Sequence, residues 1–164
     1  MATSPASRAY RYRLIALAAI VGIVIVAVAL VLLGMADDSP GAGWVRVGPV
    51  QAVRARGVVP LRDIHAFVVI DPPRRPIGLL ARSPHLGEPV VYCASSGWFE
   101  EPAHGAMFDR LGRYELGPAP RGLDRLATIV RDGVVWVNPT EITLGPPRGA
   151  RDITPTDSFC SADN

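Results

Sequence analysis

The chain has 164 residues, the length of one modest domain, and 49% of them are hydrophobic and 20% charged. These values exclude a disordered tail and a collagen-like repeat. Its 17 basic residues are all arginine and stand against 15 acidic residues, for a net charge of +2. That excess is too small for a nucleic-acid-binding protein, which needs a concentrated basic face, so we expect no nucleic-acid partner.

The first predicted element is a transmembrane helix over residues 14–35. Every residue from Leu14 to Leu33 is apolar or glycine, a run of 20, and at 1.5 Å per residue this run covers the hydrocarbon core of a bilayer, about 30 Å. A cleaved signal peptide is the alternative. Its apolar region would be only about 7–15 residues long and would end at a small-residue cleavage site, which residues 34–37 do not provide.

The charges on either side of this run predict how the chain is oriented in the cell membrane. Arg8, Arg11 and Arg13 precede the run, and Asp37 and Asp38 follow it. The positive-inside rule therefore places residues 1–13 in the cytoplasm and the rest of the chain outside it. Residues 36–43, which are polar and rich in glycine and proline, are a predicted linker or hinge, and residues 44–164 a predicted extracytoplasmic domain.

Short runs of β-branched and apolar residues predict that this domain is all-β. The runs are separated by turn signals, and Asp132-Gly133 between two of them is typical of a tight β-hairpin. No long amphipathic helical period occurs after residue 43. The predicted strands lie at 65–70, 77–81, 89–92, 126–130 and 134–137.

Two histidines stand in similar loop contexts, and each is closely followed by a glycine. One segment reads Ser-Pro-His-Leu-Gly-Glu over 83–88, and the other reads Glu-Pro-Ala-His-Gly-Ala over 101–106. A lone loop histidine is ordinarily a surface residue rather than a ligand. These segments, together with Phe108-Asp109, Gly112 and the run from Gly117 to Arg125, closely resemble the Rieske iron–sulfur domain of bacterial, actinobacterial-type cytochrome bc complexes.

The resemblance over 83–125 implies an all-β Rieske-like domain with small antiparallel sheets, but the ligand pattern has degenerated. The family's cluster cysteines are replaced by Ser83 and Glu101, beside the retained His85 and His104. Its loop-bracing disulfide positions carry Glu88 and Ala103. Because a [2Fe–2S] cluster needs thiolates, the resemblance predicts a domain that has lost its cluster, with no catalytic residue and no cofactor. Two positions that tune the cluster have also lost their hydroxyls, being Ala106 and Phe108.

The resemblance also suggests a role for the two cysteines of the chain. Cys93 follows the first histidine segment, and Cys160 follows a Gly-Pro-Pro-Arg-Gly run at 145–149, as in some actinobacterial-type Rieske subunits. In an oxidising compartment a Cys93–Cys160 disulfide is expected, and two buried free thiols are the alternative.

Several functions are consistent with these features. The first is a non-redox accessory subunit of a respiratory or photosynthetic membrane complex, whose partners would be cytochrome b or other integral subunits. The resemblance implies a docking tip formed by Leu86, Gly87, Gly105, Gly117, Pro118, Ala119 and Pro120. The alternative for the tip is that these glycines and prolines merely preserve turn geometry.

The second function is a mononuclear metal site at His85 and His104, with a carboxylate from Glu101 or Glu88. The third is a [2Fe–2S] electron carrier with non-cysteine ligands, and the fourth a free-standing membrane-anchored binding domain. His65, within a strand-like run, is predicted to be a structural or surface residue.

Overall fold

The computed structural model describes residues 5–34, 39–71, 75–149 and 160, and the side chains of the N-terminal helix over 13–29. The chain divides into two compact units, Met1–Asp38 and Ser39–Asn164. Residues 72–74, and residues 35–38 around the start of the predicted linker, lie outside the described residues.

The first unit contains one helix, α1 (Pro5–Gly34). It begins nine residues before the predicted start, and its side chains are exposed over 13–29. Among the residues that the structure describes, no helix is long and apolar enough to cross a membrane. The transmembrane prediction for residues 14–35 is therefore not confirmed.

The second unit is mostly β, as predicted, and consists of two antiparallel sheets with two short helices. The larger sheet has six strands in the order β1-β10-β9-β4-β3-β2, and the smaller has four in the order β5-β6-β7-β8. A seven-residue helix, α2, which the sequence analysis missed, follows β1. The elements are β1 (Val45–Pro49), α2 (Val50–Arg56), β2 (Val58–Leu61), a 3-10 turn (Arg62–Ile64), β3 (Ala66–Asp71), β4 (Arg75–Leu80), β5 (Val91–Cys93), β6 (Trp98–Glu101), β7 (Ala106–Phe108), β8 (Tyr114–Leu116), β9 (Arg125–Arg131) and β10 (Val134–Thr143).

The predicted strands correspond to β3, β4, β5, β9 and β10, but their bounds differ: the strand predicted at 89–92 begins only at Val91, Ala81 lies outside β4, and β10 extends to Thr143. The start of β3 also needs correction. His65 is exposed and lies in the left-handed region at φ 49°, where it ends the 3-10 turn. It is therefore a surface residue outside the strand. The predicted β9–β10 hairpin is confirmed, because Asp132 and Gly133 both have positive φ, 51° and 74°, as a tight hairpin turn requires.

One core joins the two sheets. Val69 and Leu79 of the larger sheet pack with Phe99 and Phe108 of the smaller sheet, and all four are fully buried. Fixing the sheets together in this way holds the loops at the ends of the smaller sheet in place. Those loops contain both histidine segments.

Candidate functional site at the histidine loops

The first loop, residues 83–88, is a tight turn closed by its own main chain. The Ser83 N–H donates to the Glu88 carbonyl at 2.8 Å, and the Gly87 N–H donates to the Ser83 carbonyl at 2.9 Å. Gly87 has φ 77°, a conformation that glycine adopts without steric cost. Ser83 is buried, and its hydroxyl oxygen accepts the main-chain N–H of His85 at 3.2 Å. The serine hydroxyl therefore braces the loop that presents His85.

The second loop, residues 101–106, connects β6 to β7 and is organised by a fully buried glutamate. Oε1 of Glu101 accepts the main-chain N–H of His104 at 2.6 Å and lies 3.0 Å from Nδ1 of the same residue. Oε2 of Glu101 is buried with no hydrogen-bond partner. An ionised carboxylate only accepts hydrogen bonds, so beside an ionised Glu101 the Nδ1 of His104 is the donor in this contact.

The two loops bring their histidines into contact. The ring centroids of His85 and His104 are 5.1 Å apart, with the rings inclined at 74°. The prediction that these side chains lie together is confirmed by this geometry. Their neighbour Glu88 is half-buried, and Ala103 is exposed.

A third segment, residues 117–120, packs against the second loop. Gly117 has φ 89°, and a Cβ there would collide with the carbonyl oxygen of Gly105 and lie 2.7 Å from Cα of Ala106. The Tyr114 hydroxyl donates to the Gly117 carbonyl at 2.7 Å. Glycine is therefore required at 117 for the two segments to approach each other.

The predicted docking tip is largely at the surface, with one correction. Leu86 is 64% exposed, and Pro118 and Pro120 are also exposed. Ala119, by contrast, is fully buried in the core shared by the two sheets, because its small side chain points inward between two exposed prolines. It is therefore a core residue and cannot contact a partner. We use the name "tip" below for Leu86, Gly87, Gly105, Gly117, Pro118 and Pro120.

The donor set at the cluster positions does not fit a [2Fe–2S] cluster. It consists of two imidazoles, a hydroxyl and a carboxylate, at His85, His104, Ser83 and Glu101, whereas such a cluster requires thiolates on at least one iron. Cys93 and Cys160 are joined in a disulfide with Cα atoms 5.6 Å apart, as predicted, so neither thiol is free to replace them.

The predicted three-ligand metal site is not assembled in the described part of the chain. There, the possible ligand atoms that lie within 4.8 Å of one another belong to Cys93, Glu100 and Cys160, and both of these cysteines are in the disulfide. Oε1 of Glu101 instead contacts the main-chain N–H and the ring Nδ1 of His104. A carboxylate in this position orients the histidine rather than joining it as a ligand.

Glu100, next to Glu101 on β6, is a second fully buried carboxylate that the sequence analysis did not single out. Its Oε1 accepts the Ser96 hydroxyl at 2.8 Å and the main-chain N–H of Cys160 at 3.3 Å. Glu100 thus contacts the disulfide residue Cys160, whereas Glu101 contacts the histidine loop at His104. Their adjacency in the sequence was the only signal of this arrangement.

Asp124 lies after the proline run in the sequence, and its carboxylate forms hydrogen bonds with Arg121 and with the main chain of Gly145. Its Oδ1 accepts from Nε of Arg121 and from the Gly145 N–H, both at 2.9 Å, and its Oδ2 accepts from Nη2 of Arg121 at 2.9 Å. Desolvation alone would raise the pKa of Asp124, but the hydrogen bonds from Arg121 and Gly145 outweigh it and hold the pKa below its usual value.

The chain is similar to Rieske iron–sulfur proteins. No family model matches it. It is 32% identical over 68 residues to cytochrome b6-f complex iron-sulfur subunit 2 of Nostoc, covering 42% of this chain and 38% of the relative. It is 41% identical over 63 residues to cytochrome b6-f complex iron-sulfur subunit 1 of the Cyanophora paradoxa cyanelle, covering 38% of this chain and 26% of the relative.

Among solved structures, the chain is similar to a cyanobacterial plasma membrane Rieske protein of Synechocystis. The sequence identity is 28% and the TM-score 0.48, over 57% of this chain and 97% of that one. The resemblance to Rieske iron–sulfur subunits predicted from residues 83–125 is confirmed by the curated relatives, although the matches span well under half of each relative's length.

Proposed function

We propose that this protein is a cluster-free, non-redox Rieske-type accessory subunit of a membrane electron-transfer complex, and that it is not an enzyme by itself. The observation that carries the proposal is the burial and hydrogen bonding of Ser83 and Glu101. These two positions hold thiolates in the family that the sequence resembles. Ser83 and Glu101 are both buried, and each is hydrogen-bonded within its own loop. Both side chains serve loop structure, which makes a bound cluster unnecessary for the shape of the loops.

The way the loops are braced supports this proposal. In the family that the sequence resembles, a cluster and a disulfide hold the two loops together. Here the Glu101–His104 contact, the ring contact between His85 and His104, and the close packing of Gly117 on Gly105 supply the restraint. A tip that keeps its shape without the redox group is what a purely structural subunit needs.

The partner we propose is an integral subunit of the complex, cytochrome b or a neighbour of it. The curated relatives are named as subunits of the cytochrome b6-f complex. The apolar side chain of Leu86 is 64% exposed, and Pro118 is exposed as well, and exposed apolar groups favour protein contact. If these residues served turn geometry alone, replacing the Leu86 side chain would not affect association.

We further propose that the N-terminal unit attaches the protein to the membrane, with the second unit outside the cytoplasm. Apolar side chains from Leu14 to Val28 are exposed along α1, and a helix that is apolar all round needs an apolar environment. The Cys93–Cys160 disulfide supports an oxidising compartment for the second unit. Resistance of the protein to alkaline carbonate extraction tests the attachment, and release into the supernatant would refute it.

The accessory role is tested by mild-detergent affinity purification of the tagged full chain from its native membrane. We expect cytochrome subunits to co-purify stoichiometrically, with a haem spectrum. Leu86→Asp should abolish this association, whereas Leu144→Asp, at a residue 73% exposed on another part of the domain, should not. Recovery of the wild-type protein alone would refute the role, and equal recovery with both variants would refute the contact through Leu86.

The cluster-free state is tested on the full chain after the co-purifying subunits have been removed with a stronger detergent, so that haem contributes neither iron nor absorption. We expect no absorption band between about 400 and 600 nm attributable to iron–sulfur, no EPR signal from a reduced cluster, and no stoichiometric iron or acid-labile sulfide. The presence of two irons and two sulfides per chain would refute this part of the proposal.

A second candidate function is binding of a single divalent cation by the two imidazoles. The favouring observation is that Glu101 engages Nδ1 of His104, which is how carboxylates orient metal-binding histidines. Zinc analysis of the purified protein and of His104→Gln tests it. We expect stoichiometric zinc in the wild type and none in the variant; absence of metal from both after equilibration with zinc would refute it.

A further inference from the structure

A cavity far from the histidine loops in sequence lies over strands β4 and β9. Its volume is about 400 Å³, and its lining includes the side chains of Asp71, Arg75 and Arg125. This volume is within the range of small-ligand sites, roughly 300–1,000 Å³. None of these residues is part of the tip, so the cavity is independent of the function proposed above.

Arg125 lines this cavity and has a guanidinium nitrogen without a hydrogen-bond partner. Its Nη1 is buried and has no hydrogen-bond partner, and no carboxylate of the described residues lies within 4.0 Å of its guanidinium. Desolvation lowers the pKa of Arg125, while the charges of Asp109 and Asp71 oppose this effect. A buried guanidinium N–H without an acceptor is costly, and such groups are ordinarily satisfied by an anion or water.

Neither of the neighbouring carboxylates, Asp109 and Asp71, accepts a hydrogen bond from Nη1 of Arg125. Asp109 is committed to its own loop, since Oδ2 lies 3.0 Å from Nε of Arg113 and Oδ1 accepts the N–H groups of Leu111 and Arg113. Asp71 lines the cavity but forms no ion pair with Arg125. Among the described residues, the ionisable lining is therefore two guanidiniums, Arg75 and Arg125, and one carboxylate, Asp71.

We propose that this cavity binds a phosphate group, carried either by the free ion or by a lipid headgroup. Guanidiniums recognise phosphate through paired N–H···O bonds, and Arg125 has an N–H to offer. Asp71 adds discrimination between phosphate and sulfate. A protonated phosphate oxygen can donate a hydrogen bond to the Asp71 carboxylate. Sulfate carries no proton near neutral pH and cannot donate one. Phosphate should therefore bind more tightly than sulfate.

The test is titration of the purified full chain with inorganic phosphate at constant ionic strength, followed by isothermal calorimetry and by the thermal melting temperature. Arg125→Gln should weaken binding by about tenfold or more, as expected for a lost charge-assisted hydrogen bond. Arg75→Gln should also weaken it. The matched control is Arg54→Gln, an exposed arginine on α2, which should leave it unchanged.

Several outcomes would overturn the proposal. The proposal is wrong if the wild type does not bind phosphate. It is also wrong if Arg75→Gln binds phosphate with the same affinity as the wild type. Arg75 is exposed, so its variant decides the matter even if Arg125→Gln does not fold. Equal affinity for sulfate would overturn the role given to Asp71.

A soluble short-chain lipid, dihexanoyl phosphatidic acid, distinguishes the two sources of the phosphate group. Binding of this lipid in competition with inorganic phosphate supports a headgroup site. Binding of inorganic phosphate alone supports a site for the free ion.

Discussion

Glu101 holds His104 twice, by the main-chain N–H at 2.6 Å and by Nδ1 of the ring at 3.0 Å, from a position that solvent does not reach. The residue three positions before the histidine thus fixes both the turn and the ring orientation. In the family that the sequence resembles, this position holds a metal ligand. The contact leads to the first prediction.

Glu101→Ala should lower the free energy of unfolding by about 2–4 kcal/mol. The change removes the acceptor of the His104 N–H and leaves a cavity in a fully buried site. Glu101→Gln keeps an acceptor oxygen and nearly the same volume, so it should cost clearly less. Thermal and urea unfolding of the detergent-purified protein measure both, and equal stability of Glu101→Ala and the wild type would contradict the bracing role.

Gly117→Ala should be more destabilising than an alanine at any glycine with open space around it. The added Cβ would meet the backbone of Gly105 and Ala106 in addition to the strain of φ 89°, so we expect a loss of about 3 kcal/mol or more. Gly133→Ala is the matched control, with φ 74° and nothing within 4 Å of the added Cβ, and should cost about 1 kcal/mol. The measurement is the melting temperature of each variant. Similar values would show that the close approach of Gly117 to the backbone of Gly105 and Ala106 does not limit stability.

Asp124 should make the stability of the domain depend on pH in the acid range. The pKa of Asp124 in the folded protein is below its ordinary value because Arg121 and Gly145 donate hydrogen bonds to its carboxylate, so its contribution is fully present above about pH 5 and is lost as the pH falls through the folded-state pKa. Asp124→Asn should cost about 2 kcal/mol at pH 7, from weakened hydrogen bonds to Arg121 and Gly145. This difference from the wild type should shrink as the pH is lowered from 5 to 3.

The measurement is urea unfolding as a function of pH, with Asp132→Asn as the control. The Asp132 side chain is 75% exposed, so its replacement should change stability little at any pH. A wild-type advantage over Asp124→Asn that stays constant between pH 7 and 3 would contradict this prediction.

The Cys93–Cys160 disulfide should contribute about 4 kcal/mol, because it closes a loop over a sequence separation of 67 residues. Cys93→Ala combined with Cys160→Ala should lower the melting temperature substantially. A phosphine reductant should lower that of the wild type and leave that of the double variant unchanged. An identical response of both proteins to the reductant would indicate that the disulfide is absent from the purified protein.

Much of the larger sheet could be predicted from the sequence, because β3, β4, β9 and β10 are runs of β-branched or apolar residues and Asp132-Gly133 marks the hairpin between the last two. The strands β6, β7 and β8 could not. They are three or four residues long, and β6 and β8 also carry buried glutamates, which interrupt a hydrophobic pattern. Helix α2 was missed for a related reason, since seven residues are too few to establish a helical period.

For the candidate site, the sequence predicted which residues come together but not what they do. The resemblance over residues 83–125 implied that His85 and His104 lie close together, and their rings are in contact in the structure. The role of Glu101 was predicted as a possible ligand, whereas its carboxylate turns back onto His104. The direction of a buried side chain depends on packing around it, and local sequence carries little information about that packing. The burial of Ala119 between two exposed prolines was hidden for the same reason.

The use of a carboxylate in place of a metal centre changes what the domain requires in order to mature. The loop around Glu101 and His104 is complete as soon as the polypeptide folds, with no iron–sulfur assembly machinery and no oxidation step. Only the closure between Cys93 and Cys160 waits for an oxidant. Under the cluster-free function proposed above, folding of this loop requires no iron from the cell.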